Sequence, residues 1–396
     1  MNRMVVLDGF RGLFLLLMAL LHFNGLTESW LGYLHHGKFG WVEDAQGFVF
    51  ISGLVVGLVY GRKYLRAPSL GAIFPAILAR VRTIYAHQAA LILILLAAAL
   101  LLGEMAGPDL APYREAPFTF SLASLMLVSS SANMGILPMY VFFLLATPFA
   151  FWALHRGQVA PFFAAILLAW TAAQTNLAGM LFYQGQLALV EQGVEARFGL
   201  YFSLLGWQAL FFCGLYVGYL MAEDRLDLSF LRQGQWRSVF FLATGAIVLL
   251  GIYDLVVEHR LLGEDYTNRV IQKSPRSVLG YLYPVAFAVD LFVVVWLLTV
   301  GREDRRALVR AASRGLRWLV TLPVFTLLGA HSLHVFSAHI LAFYVLATVM
   351  PMTDLSQGGR TLALLIALGS LYVVAWGRDR LQSRSLSRRQ IGAAVG

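Results

Sequence analysis

Three ionisable residues within the first apolar segment have types and spacing suited to chemistry. The stretch DGFRGLFLLLMALLH carries Asp8, Arg11 and His22 among leucines. On a helix, the eleven-residue step from Arg11 to His22 is about three turns, so both side chains project from one face, roughly 16 Å apart. Asp8 lies three residues before Arg11 and can pair with it. A histidine there suits general-base or nucleophilic chemistry, and an arginine suits an anion. A structural ion pair plus a packed histidine would explain the same residues.

A second polar cluster lies near the C-terminus, in GAHSLHVFSAHILAFY. His331 and His339 are eight residues apart and fall near one face of a helix, with Ser332 beside the first. Histidine pairs at helical spacing can bind zinc, but no HExxH motif or carboxylate set accompanies them, so we expect no metal. No Gly-x-Ser-x-Gly elbow frames a serine nucleophile. His331, Ser332 and His339 are therefore candidates for lining a substrate site.

Basic residues cluster between the second and third apolar segments. Arg62 and Lys63 fit ordinary cytoplasmic charge but are also candidates for binding the donor, and Arg80 and Arg82 stand where the chain turns back into apolar sequence. Together with Tyr85, these two guanidinium groups could hold the phosphates of a cytoplasmic donor molecule. The sequence has no glycine-rich phosphate loop of the Walker or Rossmann kind.

Several other polar residues stand in or beside apolar segments. Acids near a helix N-terminus are favourable in any case, and a buried tryptophan or amide fits a polar network between helices as well as a substrate pocket. An intramembrane carboxylate must face the protein interior, a pore or a basic partner. These residues are Glu43 and Asp44, Tyr140, Trp207 and Gln208 as substrate-binding candidates, and Asp290, whose role is open.

The composition indicates which elements position these residues. Of 396 residues, 59% are hydrophobic and only 13% charged, with a mean hydropathy of +0.71. A soluble domain carries about 25% charged residues, so the chain is predicted to be an all-α, polytopic membrane helix bundle. About ten stretches could cross a bilayer, and the apolar regions 118–135 and 316–329 could be re-entrant or interfacial. The ten stretches are 10–29, 46–64, 74–102, 136–154, 159–177, 200–222, 238–257, 280–300, 330–350 and 361–378.

Charge asymmetry predicts the orientation of the spans. Placing the N-terminus inside leaves 22 of the 30 lysines and arginines on the cytoplasmic side, so both termini are predicted to be cytoplasmic. Residues 1–380 are expected to form one transmembrane domain, and the basic tail 381–396 to contact anionic lipid. The first span is expected to be retained rather than cleaved as a signal peptide. Cys213 is the single cysteine, which excludes an intramolecular disulfide.

A family resemblance follows from these same segments. DGFRGLFLLLMALLH followed by GFVFISGLVVGLVYG resembles the OpgC family, inner-membrane proteins that succinylate osmoregulated periplasmic glucans. RVRTIYAH, LPMY, GWQALFFCG and HSLHVFSAH fit the same pattern in the same order, so the similarity covers most of the chain. OpgC is similar to the wider acyltransferase-3 group, whose arginine–histidine signature matches Arg11-x10-His22. One departure is VEDAQ where members often read SDAAE, so that Gln46 replaces an acid.

The resemblance implies an O-acyltransferase of the bacterial inner membrane. It would move a succinyl or acetyl group from cytoplasmic acyl-CoA to an extracytoplasmic glucan, with no nucleic-acid partner and an open oligomeric state. His22 would be the general base or the acyl carrier, Arg11 with Asp8 would bind the donor, and Arg80 and Arg82 would complete the donor-side clamp. An acyltransferase acting on another glycan or a lipid-linked sugar is an alternative. A transporter or flippase using Arg11, His22 and Asp290 is another, although no internal repeat supports it.

Overall fold

The computed structural model describes residues 3–34, 41–131, 133–175, 177–192 and 198–395. Across these ranges the chain is helical and contains no β-strand, which confirms the predicted fold class. The helices are α1 (Arg3–Thr27), α2 (Asp44–Arg66), α3 (Leu70–Leu102), α4 (Ala111–Glu115), α5 (Pro117–Leu125), α6 (Ile136–His155), α7 (Val159–Gln174), α8 (Leu177–Val190), α9 (Leu204–Ala222), α10 (Gly234–Glu258), α11 (Glu264–Lys273), α12 (Leu282–Thr299), α13 (Ala307–Val320), α14 (Pro323–Ala330), α15 (Ser332–Val349) and α16 (Gln357–Val395). Short 3-10 turns cover Trp30–Leu34, Gly103–Ala106, Pro108–Leu110, Ser229–Arg232, Arg276–Val278, Gly301–Glu303 and Met350–Met352.

Most of these helices have the length and apolarity of membrane spans. Within the described residues, nine helices are long and apolar enough to cross a bilayer, namely α1, α2, α3, α6, α9, α10, α12, α15 and α16. The helices α7 and α8 pass the same test together but meet at a bend of 52°, which allows ten spans. The chain is therefore a multi-pass membrane protein, as its composition predicted.

The chain divides into two compact units. The first unit joins residues 1–36 to residues 297–396, and so brings α1 together with α13 to α16. The second unit is residues 37–296 and holds α2 to α11 and most of α12. The prediction that residues 1–380 form one domain did not distinguish these units, and it stays a prediction.

In the first unit, glycines let α1 lie directly against α14. A Cβ added at Gly12 would overlap the carbonyl oxygen of Phe325, and one added at Gly329 would overlap the carbonyl oxygen of Asp8. Small residues permit such close approach in membrane helices, where packing replaces the hydrophobic driving force. The apolar region 316–329 is thus not a span of its own. It contains the end of α13 and most of α14, which packs against α1.

In the second unit, glycines four residues apart on α2 form a tight seam with α9. A Cβ on Gly53 would overlap the carbonyl oxygen of Phe211, and one on Gly57 would overlap that of Leu215. Gly214 and Gly218 on α9 meet the backbone of α2 in the same way. The two helices therefore pack backbone to backbone, and α2 is largely buried.

The region 118–135 is not a span either. Its helix α5, with α4 before it, packs against α3, which at 33 residues is longer than a bilayer requires. The Tyr85 hydroxyl of α3 donates to the carbonyl oxygen of Leu125 at 3.1 Å, which fixes the end of α5.

Candidate functional site

Two histidines from opposite ends of the first unit meet. His22 Nδ1 of α1 lies 3.0 Å from His339 Nε2 of α15, although the residues are 317 positions apart. The ring planes are inclined by only 19°, with centroids 5.0 Å apart, so the rings meet edge to edge through these two nitrogens. One of the two must donate the shared proton and the other accept it. This His22–His339 contact is the dyad discussed below.

The dyad is enclosed by apolar and aromatic side chains. His339 is fully buried, and its ring lies 5.4 Å from that of Phe23 and 5.8 Å from that of Phe336. Phe343 meets the His22 ring edge-on at 6.4 Å. The second nitrogen of His339, Nδ1, has no hydrogen-bond partner among the described residues. His339 is therefore confined by packing and has one defined polar contact, which is His22.

Polar side chains also surround Arg11, which lies on the same helix as His22. Its guanidinium donates to Ser332 Oγ and lies 3.6 Å from the Asp8 carboxylate. His331, the residue before Ser332, ends α14 and precedes α15 rather than lying inside one long helix. Its Nε2 lies 3.4 Å from Asp379 of α16. The sequence placed His331 and His339 on one helix face, but they have different partners: Asp379 for the first and His22 for the second.

The two clusters occupy different levels of α1. Because Arg11 and His22 are eleven residues apart on a continuous helix, they are separated by about 16 Å along its axis. The structure thus brings together His22 with His339, and separately Asp8 and Arg11 with Ser332. Helix α1, predicted to carry Arg11 and His22 on one face, packs against α14, α15 and α16.

The basic candidates for donor binding lie in the second unit. Helix α3 begins at Leu70, so Arg80 and Arg82 lie ten and twelve residues inside it rather than at its entrance. Arg62 and Lys63 are exposed in the last turns of α2, and Arg82 is exposed as well. The Tyr85 hydroxyl is used for the α5 contact described above. A donor role for these residues stays a prediction.

Trp207 and Gln208 both make hydrogen bonds to neighbouring segments, as expected of residues in a polar network between helices. Trp207 Nε1–H donates to the carbonyl oxygens of Arg276 and Ser277, at 3.3 and 3.2 Å. Gln208 Nε2–H donates to the carbonyl oxygen of Ile166 at 2.9 Å, and Tyr140 donates its hydroxyl to the carbonyl oxygen of Phe48 at 3.3 Å. Both Trp207 and Gln208 are buried and satisfy backbone groups of neighbouring segments.

Glu43 is part of an ion pair that sequence reasoning missed. Its carboxylate lies 2.8 Å from the guanidinium of Arg276, while Asp44 is buried in the first turn of α2. Burial alone would lower the pKa of Arg276, but the Glu43 carboxylate and the Tyr283 hydroxyl raise it above the usual value. Gln46, the residue that departs from the usual acid, accepts from the Glu43 N–H and donates to the carbonyl oxygen of Tyr283. A carboxylate at that position could not make the second bond.

No group of three or more histidine, cysteine, aspartate or glutamate side chains arranged for a metal ion occurs in the described part of the chain.

The family model described as OpgC protein matches residues 3–383. Separate comparisons found no matching protein among the curated proteins and none among the solved structures.

Proposed function

Since this chain belongs to the OpgC family, and is therefore a membrane acyltransferase for periplasmic glucan, we propose that its donor is a cytoplasmic acyl-CoA. Succinyl-CoA is the first candidate and acetyl-CoA the second. The enzyme would reside in the bacterial inner membrane and esterify hydroxyl groups of the glucan. The observation that carries this proposal is the contact of 3.0 Å between half-buried His22, on the helix that also bears Arg11, and fully buried His339.

The contact with His339 would allow His22 to act as a catalytic base. If His22 donates its Nδ1–H to His339, the lone pair of His22 Nε2 is left to accept a proton. As the sugar oxygen attacks the thioester carbonyl, Nε2 takes the hydroxyl proton, and the imidazolium then returns it to the departing CoA sulfur. The Nδ1–H bond to His339 strengthens while His22 is positively charged, because charge-assisted hydrogen bonds are stronger.

The same nitrogen could instead carry the acyl group. His22 Nε2 would attack the thioester carbonyl, CoA would leave as the thiolate, and an acyl-imidazolium that keeps its Nδ1–H would remain. The sugar hydroxyl would then attack that acyl group, lose its proton to the thiolate or to solvent, and regenerate the histidine. The two routes differ in one observable, an acyl group covalently held by His22 before acceptor is added.

Arg11 is proposed to bind the donor on the cytoplasmic side of His22. Its planar guanidinium suits a phosphate of CoA or the free carboxylate of a succinyl group. Asp8 and Ser332 hold the group in place by the contacts described above, which reduces the side-chain freedom lost when donor binds.

Purified protein incubated with radiolabelled acyl-CoA and glucan tests the proposal. Wild type is expected to release CoA and label the glucan, and His22→Ala is expected to lose about 10²- to 10⁴-fold in rate, as expected for loss of a general base. His155→Ala, at the end of α6 in the second unit, is the matched histidine control and should keep wild-type activity.

Two outcomes would count against the proposal in different ways. If wild type neither hydrolyses nor transfers the acyl group, acyl-CoA is not the donor. If His22→Ala retains full activity, the centre is misassigned even though the donor is right. Mass spectrometry of periplasmic glucans from a deletion strain identifies the acceptor, and unchanged acylation would contradict the glucan assignment.

A further inference from the structure

A turn in the second unit is held in place far more firmly than an ordinary loop. Residues 274–280 lie between α11 and α12. Their carbonyl groups accept hydrogen bonds from α7, from α9 and from Ser203, the residue before α9. Trp170 donates to Leu279, and Gln174 to Val278, from α7. The remaining donors are the Ser203 N–H and the indole of Trp207, both directed at Ser277.

The turn also has a strained backbone and a closely packed neighbour. Leu279 is fully buried with φ +54°, in the left-handed region that favours glycine. A Cβ added to Gly206 of α9 would overlap the carbonyl oxygen of Val278. Strain of this kind persists only where the surroundings over-determine the conformation. The side chain that this fixed turn presents is Arg276.

Behind Arg276 lies a buried aromatic layer. Tyr283 hydrogen-bonds the guanidinium and packs edge-on against Trp41, with ring centroids 5.7 Å apart. Trp41 stacks on Tyr253 at 6.2 Å, and the hydroxyl of Tyr253 lies 3.2 Å from that of Tyr266. Trp41 and Tyr283 are only 6% and 8% exposed, so they support the surface rather than form it. Trp41 Nε1–H has no acceptor among the described residues.

In front of this layer lie the groups that a ligand would meet. The Arg276 side chain is 45% exposed, and the exposed ring of Tyr201 lies within its electrostatic reach. Tyr201 is 57% exposed, and Tyr281, beside Tyr253, is 46% exposed. A guanidinium has five N–H donors in one plane, so donors remain after Glu43 and Tyr283 are served. Hydrogen-bonding groups in a plane beside aromatic faces match a sugar ring, whose hydroxyls lie at its edge and whose C–H groups cover its faces.

We infer that Arg276, Glu43, Tyr201 and Tyr281 form a saccharide-binding surface for the glucan acceptor. This inference rests on the proposed function, because it assigns a place to that acceptor. Glu43, 2.8 Å from Arg276, makes the pair neutral overall. The pair carries no net charge to attract anions, and the remaining N–H donors of Arg276 can bind the hydroxyl groups of a sugar.

Binding measured in the absence of acyl-CoA tests this surface independently of acyl transfer. An unsubstituted gluco-oligosaccharide is titrated calorimetrically into the detergent-solubilised full chain. Wild type should bind it. Arg276→Gln should weaken that binding about tenfold or more, since charged hydrogen bonds are lost. Arg260→Gln is the control, because Arg260 is also exposed and ion-paired, with Glu264 at 2.6 Å.

Two further variants guard against a folding defect at Arg276. Tyr201→Ala changes an exposed ring and should weaken binding while leaving the unfolding temperature unchanged. Glu43→Gln removes the ion pair and should also weaken binding, because the guanidinium of Arg276 is then no longer held in place. Equal binding by wild type, Arg276→Gln and Tyr201→Ala would overturn the proposal. Loss of CoA release with glucan binding intact would instead refute the proposed donor chemistry and leave this surface standing.

Discussion

At the scale of single residues, the chemistry of His22 depends on which nitrogen holds its proton. An isolated imidazole in an apolar site exchanges freely between its two tautomers. The contact at 3.0 Å between His22 Nδ1 and His339 Nε2 couples the two rings, so a proton on His22 Nδ1 leaves Nε2 as the base. Three phenylalanine rings surround the pair and limit rotation of both side chains. His339 is thus a positioning residue that acts through His22.

Replacing His339 with phenylalanine is expected to slow transfer without weakening acceptor binding. The ring fills similar space but cannot accept the Nδ1–H of His22, so the wrong tautomer and rotated rings become populated. We expect kcat to fall about 10²-fold, with the KM for glucan changed little, as for other residues that orient a catalytic histidine. Steady-state kinetics with purified protein measures both parameters.

The matched control for this variant lies on the same helix. His334→Phe changes a partly buried histidine of α15 and is expected to keep kcat within about twofold, the scatter of a site without a catalytic role. His339→Gln should recover part of the lost rate, because its amide oxygen can accept the same proton. A phenylalanine variant with normal kcat would show that the dyad is only a packing contact.

The sequence predicted some of these residues and not others, for physical reasons. Arg11 and His22 share one helix, so helical periodicity alone relates them. The partner of His22 was not predictable by periodicity, since His339 lies 317 residues away and its pairing depends on how α1 and α15 pack. Arg276 carried no sequence signal, because one arginine in a polar loop resembles any other. Its neighbours could not be predicted, because they come together only when the turn packs against α2, α7 and α9.

At the scale of helices, glycine positions set how the first unit presents Arg11. Gly12 on α1 and Gly329 on α14 bring these two backbones into contact, and Gly9 on α1 meets the backbone of Val320 at the end of α13 in the same way. Helix α15 follows α14 after the single residue His331, so the position of α14 also sets that of Ser332. The contact between Arg11 and Ser332 is therefore a consequence of the α1–α14 packing.

A methyl group at Gly12 is expected to disturb both stability and donor binding. The added Cβ would overlap the carbonyl oxygen of Phe325, and a backbone cannot move aside as a flexible side chain can. Overpacking of this kind costs typically 1–3 kcal/mol, so Gly12→Ala should unfold at lower temperature in detergent and show a raised KM for acyl-CoA. Thermal unfolding and kinetics measure the two effects.

Gly25 provides the control on the same helix. Nothing lies within 4 Å of a Cβ added there, and alanine favours a helix over glycine by about 0.5–1 kcal/mol. Gly25→Ala should therefore unfold at an equal or higher temperature and keep the wild-type KM. Equal destabilisation of both variants would mean that helix packing at Gly12 is not the cause.

At the scale of the whole molecule, the charge distribution and the second unit agree on the number of crossings. The C-terminal end of α7 and the start of α9 both contact the 276–279 turn, and the start of α2 contacts Arg276 of that turn. These ends therefore lie on one side of the unit. Helix α7 begins directly after α6, on the opposite side of the unit, and its C-terminal end reaches the side of the turn. The bent pair of α7 and α8 then counts as a crossing, which predicts ten spans and, with the N-terminus inside, a cytoplasmic C-terminus.

Much of this architecture was predictable because span length and charge are local properties. Twenty apolar residues indicate a span wherever they occur, and arginine-rich loops indicate the inner side. The sequence did not predict that α5 packs along α3, or that residues 297–396 group with α1. Those features depend on contacts between distant segments, which hydropathy does not encode.

Accessibility labelling of single cysteines tests the predicted topology directly. Starting from Cys213→Ser, exposed positions before α7 and after α8 are changed one at a time, as Gln158→Cys and Gln192→Cys. An impermeant maleimide added to intact spheroplasts should label Gln192→Cys but label Gln158→Cys only after permeabilisation, because a charged reagent does not cross the bilayer. Ala67→Cys and Glu115→Cys, both exposed and both before α7, are the inner and outer controls. If positions 158 and 192 label alike while the controls differ, the pair α7–α8 is re-entrant, and the C-terminus would lie outside with its arginines against the charge rule.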